Sequence, residues 1–588
     1  MTRFLPLWLL PALVYSGRCA VYDQLTQLHQ TTYDFVIVGG GTAGAVLASR
    51  LSEISSFQVL VVEAGPSNQN VINSEVPFLW QKLQGSPYDW NYTTTPQTGL
   101  NGRTVPYPRG HLLGGSSSIN AMFYTRGAAD EYDRWAKVTG DSGWSWNNLI
   151  PYFKKNERWV SPAEPRNTTG QFDPSVHGFN GSTSVSLPGH LQGVDSRVIA
   201  AANELSGDYE FNIDMNSGRP LGTVWFQGTI GNGERSSSAT SYLTTRVLNR
   251  PNLHVVLNTL TTGITPSGTK NSKPLFGNVQ VFGNGQSCSL SAKKEILLSA
   301  GSIGSPHILL HSGIGDAREL KSLGIKSVVN LPSVGKNLTD HPLFPVYKRA
   351  NTTDTSENIT SNSTLFAELL DQWEQKKAGP LTNSASNNII WLRLPKNSTA
   401  LQGHADASAS VNTPQWELVL QYNGVPGENI IGTAIALVSP ASRGNLTITS
   451  TNPFDPPLIN PGYFTSPADL ILAHEAIRSS RRFFTAGAWN GYVLDEIAPG
   501  ANVITDEQIE AFIQDNAVTA WHPVSTVAMS AREATYGVVD PDLKVKKVEG
   551  LRVVDASVMP FIIAAHTQAP VYVIAERAAD LIKRDWVQ

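Results

Sequence analysis

Residues 33–51 read YDFVIVGGGTAGAVLASRL. Phe35, Val36, Ile37 and Val38 form the uninterrupted apolar run that a parallel strand buried on both faces requires. Gly39, Gly41 and Gly44 then spell G-x-G-x-x-G, and Ala43, Val46, Leu47 and Leu51 recur at helical spacing, so the stretch predicts strand, tight turn and helix. Gly39 allows the sharp turn, Gly41 lets the backbone approach a pyrophosphate, and Gly44 lets the helix pack close to the strand. The helix start offers its unpaired N–H groups to the anion. A second apolar run, Phe57 to Val62, ends in Glu63, placed where an acidic side chain takes the ribose hydroxyls of an adenine dinucleotide. The alternative is a glycine-rich loop in some other α/β protein, against which strand, helix and acid all agree.

At 588 residues the chain exceeds the size that one hydrophobic core serves, so several domains, or one with large insertions, are expected. Hydrophobic residues make up 41% and charged residues 16%, an ordinary globular balance without long disordered tails. Net charge is −4 with no sustained basic run, which leaves no electrostatic footprint for nucleic acid or an anionic membrane. Neither is expected as a partner, and the chain is expected to be a monomer acting on a small molecule.

Residues 1–19 read as a signal peptide: Arg3, an apolar core from Phe4 to Val14 too short to span a bilayer, and small residues at Gly17 and Cys19. A secreted, extracellular protein beginning near Ala20 is expected. Sequons at Asn91, Asn167, Asn180, Asn337, Asn351, Asn358, Asn362, Asn397 and Asn445 fit that compartment, although Asn337 sits in a tight VGKNLTDHP stretch that reads as buried. Once Cys19 is removed Cys288 stands alone, so no internal disulfide is expected. No Cys/His spacing suits a zinc site, and no metal is expected.

From about residue 65 to 220 the chain is rich in Gly, Pro, Trp and Tyr with little periodicity, as in a segment that wraps a cofactor or builds a second domain. Residues 294–315, KEILLSAGSIGSPHILLHSGIG, read as a buried strand, a Gly/Ser turn and an amphipathic helix belonging with the dinucleotide unit. Residues 350–437 are polar and sequon-rich. Beyond them come an alternating strand near Arg443, a short apolar strand ending at Asp555, and a terminal helix with Pro570 as its first residue.

Chemistry concentrates in three places. The loop RGHLLGGSSSIN gathers backbone donors and small hydroxyls from Gly114 to Asn120, including Gly115 and Ser116, and suits a planar cofactor; the plain alternative is a glycine-serine surface turn. His522 precedes a proline, and His566 lies just before the terminal helix. Oxidising an alcohol by hydride transfer needs the hydroxyl proton removed, which a neutral imidazole does near pH 7. A structural, hydrogen-bonded histidine is the alternative for each. A helix starting between Gln568 and Pro570 would turn its positive end toward a reduced, anionic cofactor.

With VIVGGGTAG and Glu63, GHLLGGSSSIN, GSIGSPHILLHSGIG, SRGNLTITS, HPVST and HTQAP in this order, the chain resembles the glucose-methanol-choline (GMC) oxidoreductases over its mature length. The resemblance implies an α/β fold: a Rossmann-like FAD-binding domain with a substrate-binding domain built on an antiparallel sheet. It divides the chain into an N-terminal region at 33–345, a substrate-domain segment at 346–437 and a C-terminal region at 438–583. It implies FAD, with Gly39, Gly41, Gly44, Glu63, Gly115, Ser116, Asn120, Asp555 and Thr567 in cofactor contacts and the backbone of Thr261 at the adenine. His522 becomes the base and His566 its partner. HTQ at His566 resembles fungal aryl-alcohol oxidases and pyranose dehydrogenases.

His111 stands where many members have Arg, Lys or Asn, and resembles the histidine that carries covalent flavin in pyranose dehydrogenases; the alternative is a loop residue with no such bond. The expected function is a secreted FAD-dependent sugar (pyranose) dehydrogenase passing electrons to a quinone or similar acceptor. An aryl-alcohol oxidase using oxygen, a hydroxynitrile lyase on the same fold and a non-catalytic protein are the alternatives.

Overall fold

The computed structural model describes residues 21–587 apart from 423, 424 and 426. The signal peptide expected at 1–19 lies outside the described residues. The opening run forms the strand Thr32–Val38, followed by the helix Thr42–Leu51. The strand Val59–Val62 is buried on both faces, as is the second half of Thr32–Val38, which explains their unbroken apolar sequence. These two pair in parallel, and Leu253–Val256 and Val21–Tyr22 extend the sheet on one side. On the other side Gln286–Leu298 joins in parallel, with Leu551–Val553 parallel to its C-terminal end. The N-terminal end of Gln286–Leu298 continues antiparallel into Lys273–Gly283 and Leu260–Lys270.

The helix Thr42–Leu51 lies against the C-terminal helix Gln568–Trp586. Arg50 locks the contact by bonding both oxygens of the fully buried Glu576 at 2.8 and 2.9 Å. The terminal helix starts at Gln568, so Pro570 is its third residue and not its first. A proline is tolerated there because the first-turn N–H groups have no helical acceptor.

A second sheet is antiparallel throughout, in the order Val493–Ala498, Pro342–Ala350, Ile430–Leu437, Trp416–Gln421, Asn388–Leu392 and Gly222–Trp225, with Val518–Thr519 beside Pro342 and Leu343. Along one of its strands Trp416, Leu418 and Leu420 pack into a core shared with Leu472, Ile477 and Phe483 of the helix Pro467–Phe483, while Glu417, Val419 and Gln421 face a cavity. The period of two in a strand separates structure from chemistry at this point.

Two local expectations change. The segment after the first strand-helix-strand unit is not patternless: it holds the helices Ala129–Thr139, Trp146–Asn156 and Asp195–Leu205, whose buried positions are partly Tyr132, Trp135, Trp146 and Phe153, aromatic residues that disguise a helical stripe. Asn337 is exposed, in the left-handed conformation that asparagine tolerates.

Four buried charged groups, Arg126, Glu157, His177 and Asp214, tie together the segments that flank these helices. Arg126 Nη2 donates to Glu157 Oε2 at 2.6 Å, His177 Nδ1 lies 2.7 Å from Glu157 Oε1, and His177 Nε2 lies 2.8 Å from Asp214 Oδ2. Two carboxylates at opposite ring nitrogens require both imidazole protons. Burial opposes that charge, but the hydrogen bonds to Asp214 and Glu157 outweigh it and raise the His177 pKa above its ordinary value. Such a histidine contributes stability that is complete below the unfolded value of about 6.5 and is lost as pH rises through the folded one. His177→Gln should therefore lower the melting temperature most near pH 6, by the equivalent of about 3 to 5 kcal/mol, and less near pH 9. Thermal melts of both proteins at the two pH values check this; an equal gap at both would reject a charged His177.

Candidate active site

One cavity of about 1320 Å³ takes its walls from both sheets. At its first end stands the glycine turn. Gly39 has φ +96°, and a Cβ at Gly44 would fall 1.9 Å from the Gly39 carbonyl oxygen, so one position needs the turn and the other the close helix contact. Gly41 opens on the cavity, where only Gly115 Cα, 3.7 Å away, would meet a Cβ. The helix Thr42–Leu51 thus presents its N-terminus to open space, the arrangement that binds phosphate.

Glu63 lines the same end. Its Oε2 accepts the Gly40 N–H and its Oε1 the Gly65 N–H, both at 2.8 Å, while burial outweighs these bonds and raises the carboxyl to about 7. Each oxygen keeps a lone pair for a hydroxyl donor. Nearby, Thr261 Oγ1, Ser299 Oγ and Ser302 Oγ are buried and have no hydrogen-bond partner among the described residues. A buried hydroxyl left unpaired costs about 1–3 kcal/mol. Three around one space fit a polar ligand such as an adenine dinucleotide.

Gly115, Ser116, Asn120 and Thr567 border the middle of the cavity. The Asn120 amide is fixed, donating to Gln568 Oε1 at 2.7 Å and accepting from Arg235 Nη1 at 2.8 Å. Thr567 caps the terminal helix, whose positive end therefore faces the cavity. Asp555 also lines it, but its carboxylate is occupied: Oδ2 accepts from Gly301 N and Ser305 Oγ at 2.9 and 2.6 Å, and Oδ1 from Ser557 N and Oγ at 2.8 and 2.5 Å. Its carboxylate holds the start of the helix Gly301–His311.

His111 adjoins the cavity lining. Its backbone N–H bonds the Tyr88 carbonyl, its ring packs on Trp90 with centroids 4.4 Å apart, and its Nδ1 lies 3.4 Å from the Pro87 carbonyl oxygen. The ring is half-exposed and packs on Trp90, which lines the cavity together with Arg109, Gly110 and Asn120.

At the far end His522 and His566 meet edge to face, ring centroids 4.7 Å apart, although 44 residues separate them in sequence (566 − 522). His566 stacks on Phe123 at 4.0 Å, donates its backbone N–H to Thr125 Oγ1 at 2.7 Å, and sets Nε2 3.2 Å from the buried Glu417 carboxylate. Trp521 holds φ 63°, an uncommon conformation for a bulky residue, fixed by Thr519 Oγ1 on its N–H and Arg109 on its carbonyl, each at 2.6 Å. His522 follows, its N–H donating to Asp340 Oδ1 at 2.8 Å and its Nδ1 lying 3.0 Å from His341 Nδ1. Burial first, then His566, His341 and Arg109, lower the His522 pKa well below the usual imidazole value, so the ring is a neutral base.

Sequence reasoning missed Asp340, His341 and Glu417. A lone acid in the apolar run WELVL and an Asp-His pair in a tight turn were the available signals.

GMC oxidoreductase models match residues 33–343 and 440–575. The chain is 42% identical to the dehydrogenase eriK of Hericium erinaceus, over 97% of each protein, and 38% identical to pyranose dehydrogenase 3 of Leucoagaricus meleagris, over 98% of each. Among solved structures it resembles formate oxidase from Aspergillus oryzae (TM-score 0.86, 28% identity, 95% of this chain and 99% of that one). It also resembles a fungal aryl-alcohol oxidase (TM-score 0.80, 26% identity, 95% and 100%). With two abutting sheets, a dinucleotide cradle and paired histidines in one cavity, the chain belongs to the GMC oxidoreductases, FAD-dependent enzymes that act on CH–OH groups.

Proposed function

We propose that this protein is a secreted dehydrogenase that oxidises a sugar hydroxyl to a carbonyl and passes the electrons to a quinone or similar acceptor. The observation that carries the chemistry is the neutral His522 beside His566 at the end of the cavity away from the glycine turn. FAD, when bound, supplies the two-electron acceptor for the hydride that leaves the carbinol carbon. The Gly39–Gly41 turn and the helix N-terminus at Thr42 would hold its pyrophosphate, Glu63 its ribose, and Gly115, Ser116, Asn120 and Thr567 its ring end. His522 takes the hydroxyl proton at Nε2, and His566, oriented by Glu417 and Phe123, holds the alcohol oxygen. The relatives named pyranose dehydrogenase favour the sugar. A second reading, an alcohol with an apolar body, is favoured by the wall beside the histidines, where Met122, Phe123, Leu343, Val419 and Trp521 offer a hydroxyl-rich ring few partners.

His522→Ala should keep its flavin and reduce it about 10²-fold or more slowly. Because burial keeps His522 neutral, the wild-type reduction rate should stay level as pH falls from about 8 to below 6, since a base with a depressed pKa loses no function until far lower pH. Anaerobic stopped-flow reduction with a panel of sugars and aryl alcohols reads both points and separates the two substrate classes. Wild-type speed in His522→Ala would remove the base assignment.

We also propose that FAD is held by a covalent bond to His111, whose ring packs on the cavity-lining Trp90 with centroids 4.4 Å apart and whose neighbour Gly110 lines the same cavity. After acid precipitation and filtration the yellow colour should stay with the polypeptide, and His111→Ala should release it; free flavin in the wild-type filtrate would overturn this.

A further inference from the structure

Among the described residues, the side chain of the base His522 hydrogen-bonds to another imidazole. Segment 339–341 pairs antiparallel with 519–524: Ala520 N–H donates to the His341 carbonyl at 2.8 Å, and Thr339 exchanges backbone bonds with Val524. This pairing sets the two rings at 87° with Nδ1 to Nδ1 at 3.0 Å. His341 is fully buried. A hydrogen bond between two imidazole nitrogens contains one proton, and two arrangements satisfy it. With that proton on His341, neutral His522 carries its own on Nε2 and shows the substrate a donor. With it on His522 Nδ1, the Nε2 lone pair is free for the hydroxyl proton and His341 carries its proton on Nε2.

The surroundings of His341 choose between them. Its neighbour His522 decides: a base that takes the hydroxyl proton at Nε2 carries its own proton on Nδ1, so His341 Nδ1, 3.0 Å away, must accept, and the proton of neutral His341 lies on Nε2, which is buried and has no hydrogen-bond partner among the described residues. With Nε2 protonated, neutral His341 has only an acceptor left at Nδ1. As His522 gains the hydroxyl proton at Nε2, its Nδ1–H···Nδ1 bond to His341 becomes charge-assisted and strengthens as the base acquires charge.

Resting on the reading of His522 as the base, we propose that His341 is a positioning residue that fixes the His522 tautomer: it accepts the Nδ1–H and leaves the Nε2 lone pair for the substrate hydroxyl. The test has a readout that does not depend on activity. In holoenzyme labelled with ¹⁵N-histidine, with signals assigned by their loss in His522→Ala and His341→Leu, NMR should show the His522 proton on Nδ1 and a bare Nε2. His341→Leu removes the acceptor, and the limiting rate of anaerobic flavin reduction should fall roughly 10²-fold with little change in substrate affinity, since a wrong tautomer costs turnover more than binding. His341→Asn, whose Oδ1 stands near the lost Nδ1 and can only accept, should recover most of that rate. Flavin absorbance confirms cofactor loading in each variant. A His522 proton on Nε2 in the wild type, unchanged reduction in His341→Leu, or equal loss in the Leu and Asn variants would overturn the proposal. A failure of the base assignment itself would show separately, as wild-type reduction by His522→Ala, and would leave the NMR result standing.

Discussion

Asp340 is a buried carboxylate that five donors share. Its Oδ2 accepts from Tyr107, Tyr463 and Thr519 at 2.7, 2.5 and 2.6 Å, and its Oδ1 accepts the backbone N–H groups of His341 and His522 at 2.9 and 2.8 Å. A buried carboxylate is tolerated when its lone pairs are filled, and here the filling groups come from segments more than 200 residues apart. The strained Trp521, the base that follows it and the imidazole behind that base are thereby registered to one anion. The same anion lies close to the rings without taking a proton from them, because it bonds their backbones and not their side chains.

The first strand, turn and helix were legible because every signal for them is local: four apolar residues, three glycines and one acid lie within a single strand-turn-helix-strand unit. His522 and His566 were legible through motif resemblance, and chain spacing alone carried no hint that their rings meet. Asp340, His341 and Glu417 escaped because each acquires its role through a partner far away in sequence. The central strands Asn388–Leu392, Trp416–Gln421 and Ile430–Leu437 sat inside a stretch that composition marked as polar, since the sequons and the helices before them outweigh three short apolar runs.

His111 shows a different limit. In the loop 109–120 several backbones face the cavity, and a histidine among them is a reasonable candidate for a bond to the cofactor. The chain reverses at Gly114 and Gly115, φ +90° and +53°, so Gly110 and Asn120 on either side of the turn both line the cavity, and His111 packs on Trp90 beside them. A motif specifies the path of such a loop more firmly than the direction of each of its side chains.

The two active-site histidines differ most in what stands behind them. Glu417 has no proton to offer when ionised, so its contact with His566 Nε2 obliges that nitrogen to be a donor. His341 is an imidazole and imposes no such obligation on His522; the direction of that bond follows from the proton His522 must keep on Nδ1 to act as a base at Nε2. A carboxylate directly behind His522 would also have favoured the charged ring before substrate arrives, which a base awaiting a proton must avoid. A neutral acceptor orients the ring without that cost, and burial together with the neighbouring His566 keeps it uncharged until the hydroxyl proton comes. The pair therefore divides the work by its partners: the ring tied to an anion keeps a proton at the nitrogen it shows to Glu417, and the ring tied to another imidazole keeps a lone pair for the alcohol.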